Sequence, residues 1–224
     1  MIELVYELKS VPQDYRYLVS ELGWRVSDPF KYGKPIGDFV DPIIRYETLE
    51  EDLASEQELI DTDDNGDLER AQSRYTAGVG DCANVLNFVV APVFSTRART
   101  ELADVLEATG QLFPISVDGN PFFLYNCTRL ITPFDDERCE VRYGNSSFGG
   151  QRPAEITRFA FRRDGIEDES LFKVQWPTPP ISLQTVDYSI IPPPLAIFAT
   201  QRFVDLVVKR KLTGFYFNPV AEVE

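Results

Sequence analysis

"FSTRARTELADVLEATGQLFPIS", residues 94–116, has the pattern of a strand end, a helix and a second strand. Ser95 or Thr96 can cap the helix, because a hydroxyl oxygen accepts a hydrogen bond from the free backbone N–H groups of the first turn. An apolar stripe at helical spacing follows, made of Ala98, Leu102, Val105 and Leu106. Gly110 then predicts the end of the helix, and "QLFPIS" predicts the second strand.

The same pattern returns 104 residues later, in "FATQRFVDLVVKRKLTGFYFNPV" at residues 198–220. The two stretches align without a gap, and the identical pairs are Phe94 and Phe198, Thr96 and Thr200, Leu102 and Leu206, Thr109 and Thr213, Gly110 and Gly214, and Phe113 and Phe217. Gene duplication would explain the repeat, but caps, glycine stops and apolar stripes also recur wherever a short helix joins two strands. On either explanation the sequence predicts two similar strand–helix–strand units, which form the scaffold of the fold rather than a catalytic site.

The rest of the chain predicts mainly strands. Further strands are predicted in residues 2–8, 84–94, 121–131, 155–165 and 170–176, the last two as a pair. Residues 118–120, "DGN", predict a turn between the strands on either side. One more helix is predicted over residues 48–60, where Thr48 and Glu51 have the spacing of a capping box. The predicted fold class is α+β, a mostly antiparallel sheet with a few packed helices.

Length and composition predict one domain spanning residues 1–224. The chain is 43% hydrophobic and 12% aromatic, which is enough for a sizeable core. Residues 1–89 form an N-terminal half that holds an acidic segment, and residues 90–220 hold the two repeated units. The first ten residues, "MIELVYELKS", lack the pattern of a signal peptide, and no apolar run approaches the roughly 18 residues of a membrane span. We therefore expect a cytoplasmic protein.

The residue types that the chain lacks exclude several kinds of catalytic site. The chain has no histidine, which removes the commonest general base and the Ser-His and Cys-His nucleophile arrangements. Cys82, Cys127 and Cys139 are an odd number without a Cys-x-x-Cys motif, so we expect reduced, buried thiols rather than a disulfide framework or a zinc site. An enzyme using a carboxylate pair stays open, but no pair has convincing spacing. We expect a protein without enzyme activity and without a cofactor.

Charge is concentrated in one segment. Residues 47–69 contain eleven Asp or Glu and no Lys or Arg. They account for −11 of the net charge of −14, so the other 201 residues together carry −3. The overall charge disfavours nucleic acid and anionic lipid as partners, whereas a local negative field attracts a basic protein surface or a cation. Scattered arginines such as Arg97 and Arg162 are expected to pair with surface carboxylates.

Part of the acidic segment has the spacing of a calcium-binding EF-hand loop. The side chains at its alternate, oxygen-donating positions are Asp61, Asp63, Asn65 and Asp67. Gly66 occupies the sixth position, where the EF-hand loop needs glycine for its sharp turn. The twelfth position holds Gln72 instead of a bidentate glutamate, and that loss weakens calcium binding. A calcium-binding interaction module built on residues 61–72 is therefore the alternative to a protein-binding surface.

Three stretches between residues 90 and 220 resemble a known protein family. They are "VFSTRARTELADVLEATGQLFPISV", "PFFLYNCTRLITPFD" with its Leu124, Tyr125 and Asn126 running on to Asp135, and "LAIFATQRFVDLVVKRKLTGFYFNPV" with its closing Leu-Thr-Gly-Phe-x-Phe-x-Pro-Val. Here the chain is similar to the bacterial immunity proteins of polymorphic-toxin systems, in the group first described as a domain of unknown function and later named after a myxobacterial member. Residues 1–89 carry little of the pattern, and the stretch after Asp135 departs from it.

The resemblance implies a stoichiometric inhibitor that binds and neutralises a cognate toxin effector, with no catalytic residue of its own. Toxin domains that attack nucleic acid need basic clefts to hold phosphate. An inhibitor whose carboxylates imitate phosphate can pair with such a cleft and block it. The residues that we predict to make this contact are Glu58, Asp61, Asp63, Asp64, Asp67 and Glu69.

Overall fold

A computed structural model describes the two repeated units and strands around them. The described residues are 3–10, 18–20, 35, 37, 44–46, 78–83, 85–86, 91–133, 135, 138–145, 151–175 and 196–223. The helix predicted over residues 48–60 lies outside these ranges.

Short strands and three helices make up the described secondary structure. The strands are β1 (Glu3–Ser10), β2 (Leu18–Ser20), β3 (Ile44–Tyr46), β4 (Cys82–Ala83), β5 (Val85–Leu86), β6 (Val93–Ser95), β7 (Gly110–Val117), β8 (Asn120–Cys127), β9 (Leu130–Ile131), β10 (Glu140–Asn145), β11 (Gln151–Arg158), β12 (Leu171–Val174), β13 (Phe198–Thr200) and β14 (Phe215–Val223). The α-helices are α1 (Thr96–Glu101), α2 (Ala103–Thr109) and α3 (Gln201–Lys209), and a 3-10 helix spans Arg163–Gly165.

Each repeated unit places an antiparallel strand between its two outer strands. In the first unit, β6 leads through α1 and α2 into β7, and β8 pairs antiparallel with both strands. In the second unit, β13 leads through α3 into β14, and β1 pairs antiparallel with both strands. The outer strands of each unit are therefore parallel to one another, with a helical connection between them. The prediction of two similar strand–helix–strand units is confirmed.

The two units belong to two mixed sheets. Among the described strands, one sheet has the order β14–β1–β13–β12–β9, a second has the order β4–β6–β8–β7–β3–β2–β5, and β10 pairs with β11 alone. Most of these pairs are antiparallel, and the parallel pairs are β9–β12, β2–β5 and β3–β7. The α+β fold class is confirmed.

One predicted strand pairing is wrong. Residues 155–165 and 170–176 do contribute strands, namely β11 and β12, but these two strands do not pair with each other. β11 pairs with β10, whereas β12 pairs with β13 and β9. Alternation along a strand identifies its buried face, but the choice of neighbour depends on contacts between residues far apart in the sequence.

The β7–β8 hairpin confirms the turn predicted at residues 118–120. Asp118 and Gly119 have φ angles of 46° and 81°. A two-residue type I′ hairpin requires positive φ at both central residues. Gly119 meets this requirement without strain, since it has no Cβ.

The main core lies between the two units. It contains buried residues from both mixed sheets and from the described helices: Leu8, Cys82, Phe94, Ala98, Leu102, Leu106, Tyr125, Cys127, Leu171, Ile197, Ala199, Phe203, Val207 and Leu212. The apolar stripe predicted in the first unit is confirmed, because three of its members belong to this core and Val105 packs against it. The helices and both sheets therefore form one hydrophobic unit.

A second core covers the opposite face of the five-stranded sheet. Leu171 belongs to the main core and its neighbour Phe172 to the second core, as expected for successive residues of a strand. The ring centroids of Phe172 and Phe198 lie 5.7 Å apart, and Phe161 packs edge-on against both. The sheet that holds the second unit thus packs against a hydrophobic core on each of its faces.

The helix starts and ends follow the prediction in the first unit. Ser95 caps α1, since its Oγ accepts a hydrogen bond from the backbone N–H of Ala98 at 3.0 Å. The helical stretch breaks at Leu102, which separates α1 from α2. Gly110 directly follows α2 as predicted, in an extended conformation.

The predicted glycine stop is wrong in the second unit. There α3 ends at Lys209, well before Gly214. Lys211 has the left-handed φ of 52° that ends the helix. Gly214 also has a positive φ, of 79°, but it lies at the entry to β14, where the backbone passes close to β4.

Candidate functional site

The residues predicted to bind a partner lie outside the described ranges. They are Glu58, Asp61, Asp63, Asp64, Asp67 and Glu69, together with Asn65 of the calcium alternative. The basic-partner interpretation and the calcium interpretation therefore both stay predictions. The described part of the chain contains two polar sites of its own, one where the two units meet and one inside the main core.

The first site, which we call the Asp81 junction, consists of Asp81, Ser95, Arg97 and Thr213. The carboxylate of Asp81 is buried and accepts four hydrogen bonds. Its Oδ1 accepts from Ser95 Oγ at 2.7 Å. Its Oδ2 accepts from Arg97 Nη1 at 3.1 Å and from the backbone N and Oγ1 of Thr213 at 3.0 and 3.1 Å. Because Ser95 and Arg97 belong to the first unit and Thr213 to the second, one carboxylate joins the two units.

Arg97 extends the junction to the end of α3. Its Nη2 donates to the backbone carbonyl oxygens of Arg210 and Lys211 at 3.0 and 2.9 Å. The last carbonyls of a helix have no partner within the helix and carry partial negative charge, so a guanidinium stabilises them. Glu101 on α1 pairs in turn with Arg210 at 3.2 Å. The start of the first helical stretch and the end of α3 are therefore held together.

The Asp81 junction was only partly predictable. The expectation that scattered arginines pair with surface carboxylates is confirmed at Arg162 with Asp164, at 3.9 Å, whereas Arg97 pairs at 3.1 Å with a buried carboxylate, that of Asp81. Asp81 itself was missed as a key residue, because Thr213, which donates to it, lies 132 positions away in the sequence. No local pattern around Asp81 indicates that partner.

The second site, which we call the core amine site, consists of Lys173, Cys127, Tyr125 and Thr109. Lys173 on β12 is only 2% exposed. The hydroxyl oxygens of Tyr125 and Thr109 lie 2.7 Å apart in a hydrogen bond. The thiol of Cys127, also in the core, lies close enough to Tyr125 and Lys173 to interact electrostatically with both. An amine, a thiol and two hydroxyls thus share a water-poor space between the sheets.

Burial shifts the pKa values of these groups toward their neutral forms. It lowers the pKa of Lys173 to about 8 and raises the pKa of Cys127 to about 11. It also raises the pKa of the Tyr125 hydroxyl well above its ordinary value. Perturbed titratable groups often mark active sites. Here Tyr125, Cys127 and Lys173 are 0–2% exposed, so a substrate has no open route to them and they belong to the interior of the fold.

Lys173→Met is expected to stabilise the protein below pH 8 by on the order of 3 kcal/mol, given a pKa shift from 10.5 to about 8. The folded chain disfavours the ammonium, so the unfolded chain binds more protons between about pH 8 and 10.5, and the stability contribution of Lys173 rises with pH across that window. The advantage of the variant over the wild type should therefore be constant below pH 8 and disappear by about pH 10.5. Urea denaturation of both proteins from pH 6 to 10.5 measures it.

The buried thiols and Tyr125 have raised pKa values, which lower stability above about pH 9. Both the wild type and Lys173→Met contain these groups, so their effect cancels when the two free energies of unfolding are subtracted at each pH. Lys9→Met is the matched control, because Lys9 is exposed. That control should change the free energy of unfolding at pH 7 by less than about 0.5 kcal/mol. A Lys173→Met protein that is equal to or less stable than the wild type at pH 7 would contradict the prediction.

The cysteines behave as the sequence predicts. Cys82 and Cys127 are buried, Cys139 is partly buried, and all three are free thiols. Burial, with the nearby charge of Asp81, raises the pKa of Cys82, which keeps this thiol protonated. Within the described ranges, the structure contains no group of three or more cysteine or acidic side chains that could hold a metal ion.

Similarity to known proteins adds no identification. The sequence matches no protein-family model and no curated protein. None of the helices in the described part of the chain is long and apolar enough to cross a membrane.

Proposed function

We propose that this chain is an immunity protein, which binds a cognate toxin effector one-to-one and covers the toxin's active site. The observation that carries the proposal is the charge distribution: residues 47–69 account for −11 of a net charge of −14. Charge spread evenly over a surface mainly favours solubility, whereas a concentrated block creates a directed field. Such a field favours and accelerates association with a basic protein surface.

The chemistry of a basic toxin cleft fits this segment. Lys and Arg side chains that hold phosphates in a nucleic-acid-degrading domain also pair with carboxylates. Glu58, Asp61 and Asp67 lie within one run of acidic residues, whose carboxylates can pair with basic side chains along such a cleft. A standard protein–protein interface buries roughly 1,600 Å² in total, so further residues must complete the contact.

The two repeated units support the proposal as a rigid frame. The stretches that carry the resemblance to immunity proteins contribute strands and helices to both units and to the main core. The Asp81 junction fixes one unit against the other. A rigid frame reduces the entropy lost on binding, which favours tight inhibition.

A binding role without turnover also fits the perturbed groups of the described chain. Lys173 and Cys127 are enclosed in the core. Asp81 already accepts hydrogen bonds from three residues of the fold. We therefore assign these groups to the interior of the fold rather than to a reaction, and the inhibitor acts by occupying the toxin's cleft.

The proposal is tested by co-expression with a toxin domain encoded directly upstream of this chain's gene. Cells that make both proteins should form colonies as well as cells that carry an inactive toxin. The two proteins should also co-purify in a one-to-one ratio. Cell death despite folded, soluble inhibitor at equal or higher levels would overturn the proposed function.

A further inference from the structure

The C-terminal end of α3 carries three basic residues in a row. Lys209, Arg210 and Lys211 follow one another and are all exposed. Val208, directly before them, is 68% exposed, which is unusual for a large apolar side chain in this structure. We call Val208, Lys209, Arg210 and Lys211 the α3 basic patch.

Among the described residues, ion pairs neutralise only part of the positive charge of the patch. Arg210 pairs with Glu101, but neither Lys209 nor Lys211 forms an ion pair with any of the described residues. The chain has 36 acidic and 22 basic residues, so composition alone does not lead one to expect two lysines two positions apart that lack an ion pair with the described residues. Arg97 also covers the last carbonyls of α3, which removes the negative helix end that would otherwise hold these ammonium groups.

Lys211 occupies a position that normally favours glycine. The backbone N–H of Leu212 donates to the carbonyl of Val207, and that of Lys211 donates to the carbonyl of Val208, at 3.1 and 3.0 Å. These two bonds define a Schellman motif, and the apolar contact that accompanies it is present because Val207 and Leu212 share the main core. The left-handed residue of this motif is usually glycine, yet here it is a lysine with φ 52°. A backbone conformation that costs stability places an additional ammonium group on the patch.

We propose that the α3 basic patch binds the acidic segment, residues 47–69, of a second copy of this chain. Carboxylates of that segment would pair with Lys209 and Lys211. Its apolar residues, such as Leu59 and Ile60, would contact Val208. Val208, Lys209, Arg210 and Lys211 are exposed, so their side chains are available to a second molecule.

Two copies can satisfy both contacts at once. In a two-fold symmetric dimer, each molecule presents its acidic segment to the patch of the other, and the assembly closes without further copies. The proposal does not rest on the immunity function. The two are linked, however, because a toxin that takes the same acidic segment would compete with the second copy.

The charge of the whole chain predicts a distinctive salt dependence. Two molecules of net charge −14 repel each other, and this repulsion acts over tens of ångströms at low salt. At about 0.15 M salt the screening length is about 8 Å, so the distant repulsion is suppressed while direct contacts persist. We therefore expect dimer formation to be strongest near this salt concentration and weaker at both 0.01 M and 1 M.

Sedimentation velocity of the full chain over a concentration series tests the proposal. The wild type should form dimers at about 0.15 M salt, and Lys209→Gln with Lys211→Gln should weaken the dimer at least tenfold in Kd. The matched control is Lys9→Gln with Arg158→Gln, which removes the same charge from exposed positions outside the patch. That control should dimerise as the wild type does.

Lys211→Gly separates loss of binding from loss of folding. Glycine suits the left-handed position, so this variant should melt about 3 °C higher than the wild type while its dimer weakens. A wild type that stays monomeric up to 0.5 mM at 0.15 M salt would overturn the proposal. So would a dimer that the patch variant and the control variant weaken equally, since its interface would then lie elsewhere.

Discussion

Gly214→Ala is expected to destabilise the protein by about 3–5 kcal/mol. Gly214 has a φ of 79°, which costs any residue with a Cβ stability. An added Cβ would also lie 2.5 Å from the carbonyl oxygen of Cys82, 3.1 Å from Gly80 Cα and 3.2 Å from Cys82 N. All three are backbone atoms, so no side-chain rotation relieves the contact, and the β4 backbone must move.

The displaced backbone belongs to the connection between the two units. Cys82 N–H donates to the carbonyl of Thr213 at 3.0 Å, and Asp81 accepts from Thr213 in the neighbouring hydrogen bonds. A shift at Gly214 therefore disturbs the Asp81 junction as well. Urea denaturation with a fitted slope and midpoint measures the loss.

Gly119→Ala is the matched control for this prediction. Gly119 has a φ of 81°, almost the same as Gly214, but a Cβ there would have no atom within 4 Å. The control should lose only the stability that a positive φ costs a residue with a Cβ, about 1–2 kcal/mol. Equal losses of stability in the two variants would show that the β4 backbone can move at little cost. That result would contradict a tight connection between the units.

Asp81→Ala is expected to destabilise the protein by about 3 kcal/mol. The change leaves the hydroxyl of Ser95 and the backbone N–H of Thr213 without their acceptor in a partly buried place. Arg97 is about half exposed, so water can solvate part of its charge and limit the cost. Asp81→Asn keeps the shape and one acceptor oxygen, so its loss should be about half as large.

The control for the Asp81 variants changes an ion pair on the exposed surface. Arg158 and Glu140 pair at 3.3 Å with both side chains more than 60% exposed. Arg158→Ala should change the free energy of unfolding by less than about 0.5 kcal/mol. Thermal unfolding of the three variants side by side compares them. If Asp81→Ala loses no more stability than the control does, the Asp81 junction does not hold the two units together.

The parts of the fold that sequence predicts are those set by neighbouring residues. The cap at Ser95, the apolar stripe of α1 and α2 and the turn at Asp118 and Gly119 each follow from a few consecutive side chains. The internal repeat was also visible, because both units use the same local pattern. These features need no knowledge of distant contacts.

The parts that sequence missed depend on distant contacts. β1, near the start of the chain, inserts between β13 and β14 near its end. Nothing in the alternation of residues 2–8 indicates these partners. The end of α3 at Lys209, with the left-handed residue at Lys211 instead of Gly214, was also missed, since the cost of a lysine in that conformation is offset by the packing of Val207 and Leu212 in the main core.

The two polar sites differ in the signals they leave in the sequence. Lys173 lies inside the run "LFKV", and a lysine on the core-facing side of a buried strand could have been recognised from that alternation. Asp81 leaves no such signal. The acidic segment is the opposite case, because its charge is evident in the sequence, whereas no local sequence pattern identifies the surface that it meets.

Association kinetics with the toxin identified by the co-expression experiment test the central claim most directly. Asp61, Asp63, Asp64 and Asp67 are changed together to Asn, and the association rate is measured by stopped flow from low to high salt. The matched control changes Asp104, Asp164, Glu167 and Asp168, all exposed, to the corresponding amides, so that the net charge is the same. We predict that the acidic-segment variant associates at least ~10-fold more slowly at low salt with a flattened salt dependence, while the control stays close to the wild type. Equal rates for the two variants would contradict the claim that residues 47–69 form the docking face.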